Sequence, residues 1–150
     1  MVTHFSMTQS DDYDLKDFTP YLLNLAAETT SLAFQPHYKD RYGMLRAEWR
    51  VLFHLGRYGP MTARDICDRA RLHKTKVSRA VAALEDKRYL SRHQKAADKR
   101  QEELRLTKQG ARAFQALYAE ARTFDAKLIG QFDEAEQAVL RRCLSQLAQL

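Results

Sequence analysis

Cysteine is nearly absent from this chain. Cys67 and Cys143 are the only two in 150 residues, far apart and in no CxxC pair, so neither a disulfide framework nor a zinc knuckle is expected. Glycine is scarce as well, at five, and none belongs to a phosphate-cradling loop or a nucleophile elbow. The histidines (His4, His37, His54, His73 and His93) are scattered, with no i, i+4 pair of the kind a metal needs. No Ser/His/Asp cluster is recognisable, and there are no internal repeats or low-complexity segments. No apolar run approaches membrane-spanning length. The opening "MVTHFSMTQSDDYD" lacks the basic-then-apolar layout of a secretory signal. The expectation is a cytoplasmic protein that is not an enzyme, with no catalytic residue, no metal and no cofactor.

What the chain holds in excess is positive charge, concentrated in one region. Residues 62–110 carry 14 Lys/Arg against 7 Asp/Glu, whereas residues 1–45 carry 3 against 6 and residues 111–150 carry 5 against 5. The whole net charge of +6 therefore lies in the middle of the sequence. A local basic excess of this kind points to a polyanionic partner. Apolar residues make up 45% and charged residues 29%, the proportions of a globular protein. The length suits one domain with a real core.

The first dozen residues are polar and are expected to fray. Thr19-Pro20 reads as a helix start, and Phe18, Leu22, Leu25, Thr29 and Leu32 recur at helical spacing, with Pro36 ending or kinking the helix. "RYG" breaks the chain before a second helix, "LRAEWRVLFHLGRY", closed by Gly59-Pro60. Thr62 with Asp65 forms a capping signal for a short helix carrying Ile66, Cys67 and Ala70. In "HKTKVSRAVAALEDKRYL" Val77, Ala80, Val81 and Leu84 form a buried face, leaving Lys74, Thr75, Lys76, Ser78 and Arg79 on the other. "YLSRHQK" and "QEELRLT" read as a hairpin with "AADKR" at its tip. Thr107 opens a long amphipathic helix with Phe114, Leu117, Tyr118, Ala121, Leu128 and Phe132 as its stripe. Asp133 and Glu136 open a last one with Leu140, Cys143, Leu144 and Leu147.

Two short helices joined by a tight turn and followed by a ribbon make a winged helix-turn-helix. The expected fold is mainly α, with about six helices and a two-stranded wing. A helix entering the major groove offers base edges the side chains near its N-terminus, here Lys74, Thr75, Lys76, Ser78 and Arg79. A narrow wing can insert an arginine into the minor groove, which makes Arg100 the probe and Lys95 and Lys99 phosphate contacts, with Arg92 also in the wing's DNA-binding set. Asp98 would repel phosphates. It fits better as a brace that accepts hydrogen bonds from Arg100 or Arg92 and fixes the tip.

Residues 45–110 resemble the multiple-antibiotic-resistance regulator (MarR) family of bacterial transcription factors. The likeness is carried by "EWRVLFHL", "HKTKVSRAVAALEDKRYLSR", the wing "DKR" and "LRLTKQG". The resemblance implies a winged helix-turn-helix lobe at 45–107 and dimerisation helices at 18–43 and 108–150 that interlock in an obligate homodimer. It further implies binding to double-stranded DNA at a pseudo-palindromic operator, with repression relieved by a small ligand or by oxidation. Family ligands, often aromatic acids, bind where the dimer helices meet the DNA-binding lobe. Here that junction should include His37, Tyr38, Tyr42, Trp49, Arg50 and Phe53, a set able to hold a flat anion. Trp49 and Phe53, one turn apart, fit a plain core equally well.

Two positions depart from the family pattern. The helix-turn-helix turn reads Ala70-Arg71-Leu72 where the family often has glycine, and the return strand opens with Gln101-Glu102-Glu103. Two rival readings stand beside the ligand-released repressor. One is a thiol-based redox sensor, against which Cys67 reads as core and Cys143 as dimer core. The other is a winged-helix protein-interaction module without specific DNA binding, which gives the wing arginine no task.

Overall fold

The computed structural model describes residues 12–95 and 97–150, with the backbone alone at Lys99. Residues 1–11, expected to fray, and Ala96 of the expected tip lie outside the described residues. The chain forms two compact units, one ending at Ala33 and the other beginning at Phe34.

The first unit holds a one-turn 3-10 helix, Leu15–Asp17, and the first part of helix α1 (Thr19–Tyr42). Asp14 caps the short turn, its carboxylate accepting from the Lys16 N–H at 2.9 Å. Phe18, Leu22, Leu25 and Leu32 all remain exposed. Pro36 does not end α1, which runs through it to Tyr42. A proline removes one backbone hydrogen bond, but Phe34 and Tyr38, two residues to either side, are buried in the core of the second unit and hold the helix there. Gly43, at φ +64°, then turns the chain, a conformation open to glycine at little cost.

The second unit continues with α2 (Arg46–Tyr58), β1 (Met61–Thr62), α3 (Ala63–Ala70), α4 (Lys74–Asp86), β2 (Leu90–Lys95), β3 (Asp98–Leu106), α5 (Lys108–Ile129) and α6 (Glu134–Ala148). Its starts are set by side chains that satisfy otherwise orphaned N–H groups. Glu48 accepts from the Leu45 N–H at 2.7 Å. Thr62 and Asp65 exchange two bonds of 3.1 Å, a full capping box. Thr107 accepts from Gly110 N–H at 3.0 Å, and Asp133 and Glu136 form a second box. Gly110 is required by a close approach, since a Cβ there would lie 1.9 Å from the Tyr89 carbonyl oxygen.

The sheet has three antiparallel strands in the order β1-β3-β2, one more than the two-stranded wing expected. β1 is only two residues long, paired Met61 to Leu104 and Thr62 to Glu103, and its tie to β3 is a backbone contact across some forty residues that no local pattern announces. Leu90 opposite Leu106 fixes the β2–β3 register. Val51, Leu52, Leu55, Ile66, Val77, Val81, Leu84, Leu90, Leu104 and Leu117 fill the core. α6 buries no residue. Among the described residues no helix is long and apolar enough to cross a membrane.

Candidate nucleic-acid interface

α4 stands on the core through Val77, Ala80, Val81 and Leu84, all buried. Lys74, Thr75, Lys76, Ser78 and Arg79 are all exposed on its N-terminal half. The helix begins with His73, whose Nδ1 accepts from the Thr75 N–H at 3.2 Å. The place of His73 directly before a helical run suits that capping role. The turn that leads into α4 places Arg71 in the left-handed conformation, φ 52° and ψ 44°, at the position where glycine is the usual solution.

An ion pair on a buried carboxylate fixes the far end of α4. Glu48 is 3% exposed and accepts from Lys87 Nζ at 2.6 Å, while the same ammonium donates to the Gly43 carbonyl at 2.7 Å. The residue after α4 is thereby fastened to the start of α2.

The wing differs from expectation at its tip. Asp98, Lys99 and Arg100 belong to β3 rather than to an open loop, and Asp98 pairs with Lys95 across a register irregularity at Gln94/Lys95. Asp98 Oδ1 accepts from the backbone N–H of Arg100 at 3.0 Å. Arg92 does not reach Asp98. It donates to Glu85 of α4 at 3.0 Å and to Glu102 of β3 at 3.2 Å, riveting ribbon to helix. Desolvation opposes the Arg92 charge, but the bonds and charges of Glu102 and Glu85 outweigh it and raise its pKa. Glu103 accepts from Arg105 at 2.8 Å, so both acids of the return strand are paired with arginines. Arg100 is exposed, Lys95 is half-buried, and the side chain of Lys99 lies outside the described residues.

Lys95 also lies close enough to Asp65 to act on it. The Asp65 pKa is lowered chiefly by the Thr62 backbone N–H, then by the Thr62 hydroxyl, against a desolvation penalty, with Lys95 and Arg69 contributing through charge.

The residues expected to hold a ligand divide into three places. Tyr38 and Trp49 stack at 6.2 Å, Trp49 meets Phe53 edge-on at 5.3 Å, and His37 stacks on Phe34 at 4.8 Å. Tyr42 packs instead against Tyr89. Arg50 is apart from the rings, lining a cleft of about 410 Å³ between α2 and α4 with Arg46, Lys76 and Arg79. His37 Nδ1 lies 2.9 Å from Glu120 Oε2, and Arg41 donates to the other oxygen of that carboxylate. Phe34, Phe124 and Glu120 escaped the sequence reading, because α5 comes to α1 only in three dimensions. The Tyr38 hydroxyl is buried without a hydrogen-bond partner among the described residues. Cys67, expected as core, is half-buried and packs against the core, whereas Cys143 is exposed in the single chain.

Residues 42–101 match the model of the MarR family. The chain is similar to the uncharacterized HTH-type transcriptional regulator YwoH of Bacillus subtilis (strain 168), 29% identical over 100 residues that span 66% of this chain and 72% of that protein. Its fold is similar to that of a MarR/EmrR family transcriptional regulator from Acinetobacter sp. ADP1, with TM-score 0.82 and 26% identity over 91% of this chain and 96% of the other. It is also similar in fold to Bordetella bronchiseptica BpsR, whose DNA binding is regulated by 6-hydroxynicotinic acid, with TM-score 0.83 and 20% identity over 92% and 98%. A helix buried on one face and basic on the other, a braced wing and these matches point the same way: residues 42–101 are similar to the MarR family, and the fold is similar to that of a MarR/EmrR family transcriptional regulator.

Proposed function

We propose that this protein is a sequence-specific, double-stranded-DNA-binding repressor that acts as a homodimer on a pseudo-palindromic operator. The observation that carries the reading is the division of α4: four apolar residues are buried, and five DNA-compatible side chains are exposed together near its N-terminus. Arg79 and Lys76 are the base-reading candidates. Lys74, Thr75 and Ser78 contact phosphate or neighbouring base edges, and Arg100 probes the minor groove beside Lys95 and Lys99. Arg92 serves the wing from behind, as a rivet.

Selection from a random duplex pool tests this. It should recover a palindrome with half-sites about one helical turn apart, roughly 10 base pairs. Lys76→Ala or Arg79→Ala should then lose about 1–3 kcal/mol and relax preference at one position per half-site. Equal binding to every duplex would defeat the repressor reading and leave the protein-interaction module.

We further propose that a flat aromatic anion releases the protein from DNA by binding among Tyr38, Trp49, Phe53 and His37. The buried Tyr38 hydroxyl, without a hydrogen-bond partner among the described residues, supports this, on a side chain that belongs to a cluster of aromatic rings. 6-Hydroxynicotinic acid, which regulates BpsR, belongs to that chemical class. Trp49 is the single tryptophan of the chain, so its fluorescence reports the site directly. A panel of aromatic carboxylates that neither quenches Trp49 nor weakens DNA binding would refute the proposal, and Tyr38→Phe should abolish any response found.

A further inference from the structure

We infer that Arg71 is a positioning residue of the DNA-reading surface, clasping the C-terminal end of α6 to the helix-turn-helix turn and so setting how α4 is presented. The inference rests on reading α4 as the recognition helix.

The backbone of Arg71 is left-handed, φ 52°, in the turn three residues before α4 begins. The turn itself needs that conformation, since it brings the Leu72 N–H back to the Cys67 carbonyl at 3.3 Å. Glycine adopts it freely, whereas a residue with a Cβ pays a steric penalty. A glycine would therefore make the same turn at lower cost, and the benefit of arginine must come from its side chain.

That side chain reaches α6. Arg71 Nη1 donates to the Ala148 carbonyl and Nη2 to the Gln149 carbonyl at 3.4 Å, across 77 and 78 residues of sequence. The last carbonyls of a helix have no partner within it and sit at the negative end of its dipole, so a forked cation is the fitting cap. Among the described residues, little else holds α6 within the chain. It buries no side chain, and the other long-range polar tie described for it is Arg141 to Asp125 of α5 at 2.9 Å. Arg141 fastens the middle of α6 to α5, and Arg71 fastens its end to the turn. A shift of α6, one of the helices proposed to pair two copies, is thereby felt at the residue that precedes His73 and the start of α4 by only a few positions.

Three variants of the full chain test the clasp. Arg71→Gly removes both the backbone cost and the clasp, Arg71→Gln keeps the cost and loses the charged fork, and Arg71→Lys keeps the cost and the charge. Amide exchange over residues 143–150 reads the clasp without DNA. Affinity is measured for the duplex that the wild type selects from a random pool and for a scrambled duplex of equal length. Arg71→Gly and Arg71→Gln should both speed exchange at the end of α6 and weaken the selected duplex about tenfold, with scrambled DNA changed less than about twofold. Arg71→Gly should nonetheless melt no lower than Arg71→Gln, and Arg71→Lys should recover most of the affinity. Wild-type affinity in Arg71→Gly would overturn the positioning role, and unchanged α6 exchange would overturn the clasp itself. An equal loss on both duplexes with a shallower salt slope would make Arg71 a phosphate contact instead. A wild type with no preference for any duplex would overturn the DNA reading beneath it, a result separable from the exchange data.

Discussion

At the scale of single residues, Asp98 offers the sharpest contrast between two physical accounts. A carboxylate among wing cations repels a polyanion, so on charge alone Asp98→Ala should tighten DNA binding. Its actual bond, to the Arg100 backbone N–H at 3.0 Å, instead shapes the strand end that presents Arg100. Losing it leaves Arg100 to be ordered on docking, at an entropic cost. The expected outcome of a titration at fixed salt is weaker binding for Asp98→Ala, and tighter binding would refute the brace. The thiols offer a second test. Cys67 packs against the core, and Cys143 sits on the apolar side of a helix proposed to pair with a second copy. A Cys67→Ser, Cys143→Ser protein should still bind the selected duplex and respond to the same effector. Peroxide release of the wild type but not of this variant would establish the redox alternative.

At the scale of elements, two polar devices hold the lobe in register. The Glu48 carboxylate is nearly dry, held by Lys87 and the Leu45 N–H. Removing only the cation strands a buried charge, so Lys87→Met should cost about 3 kcal/mol, the low end for such pairs because the lysine is partly solvated. The double change Glu48→Gln, Lys87→Met keeps an acceptor for Leu45 and buries no charge. It should be the more stable of the two in urea, and the reverse order would show that the pair matters little. The Thr62–Asp65 box has a pH signature. The folded pKa of Asp65 lies below its ordinary value, so its contribution is present above about pH 4 and fades as pH falls through the depressed folded value. Asp65→Asn should therefore be destabilised at pH 7, by under about 1 kcal/mol for this exposed cap, and converge with the wild type in acid. A gap that persists at pH 2.5 would assign the loss to packing.

The elements also show what a sequence can and cannot disclose. Thr62 with Asp65, Thr107, and Asp133 with Glu136 were legible because a cap is written within four residues. The buried stripe of α4 and its exposed basic face followed from a period of 3.6. What stayed hidden was non-local. β1 is two residues whose partner is β3, Pro36 is carried through by burial on either side, and Arg50 belongs to a different face of α2 from the rings. Arg71 could be flagged as a departure at the turn, but its partners lie 77 residues away.

At the scale of the whole molecule, two helices carry several large exposed apolar side chains each. α6 leaves Val139, Leu140, Leu144 and Leu147 exposed, and α1 leaves Leu22, Leu25 and Leu32 exposed, with Phe18 exposed just before it. Rows of large apolar side chains at helical spacing, rather than scattered ones, are what a pairing surface presents. We propose that a symmetric homodimer covers them, which would also supply two copies of α4 for the two halves of a palindrome. Folding would then be linked to association, and the melting temperature should rise with protein concentration by mass action. Leu144→Glu, a charge placed in the middle of the α6 row, should shift sedimentation toward the monomer. It should also cut affinity for the full operator far more than for one half-site, because two linked half-sites bind with an effective concentration that separate subunits lack. A wild-type chain that sediments as a folded monomer at micromolar concentration, with a melting temperature independent of concentration, would sink the dimer and the palindromic operator together.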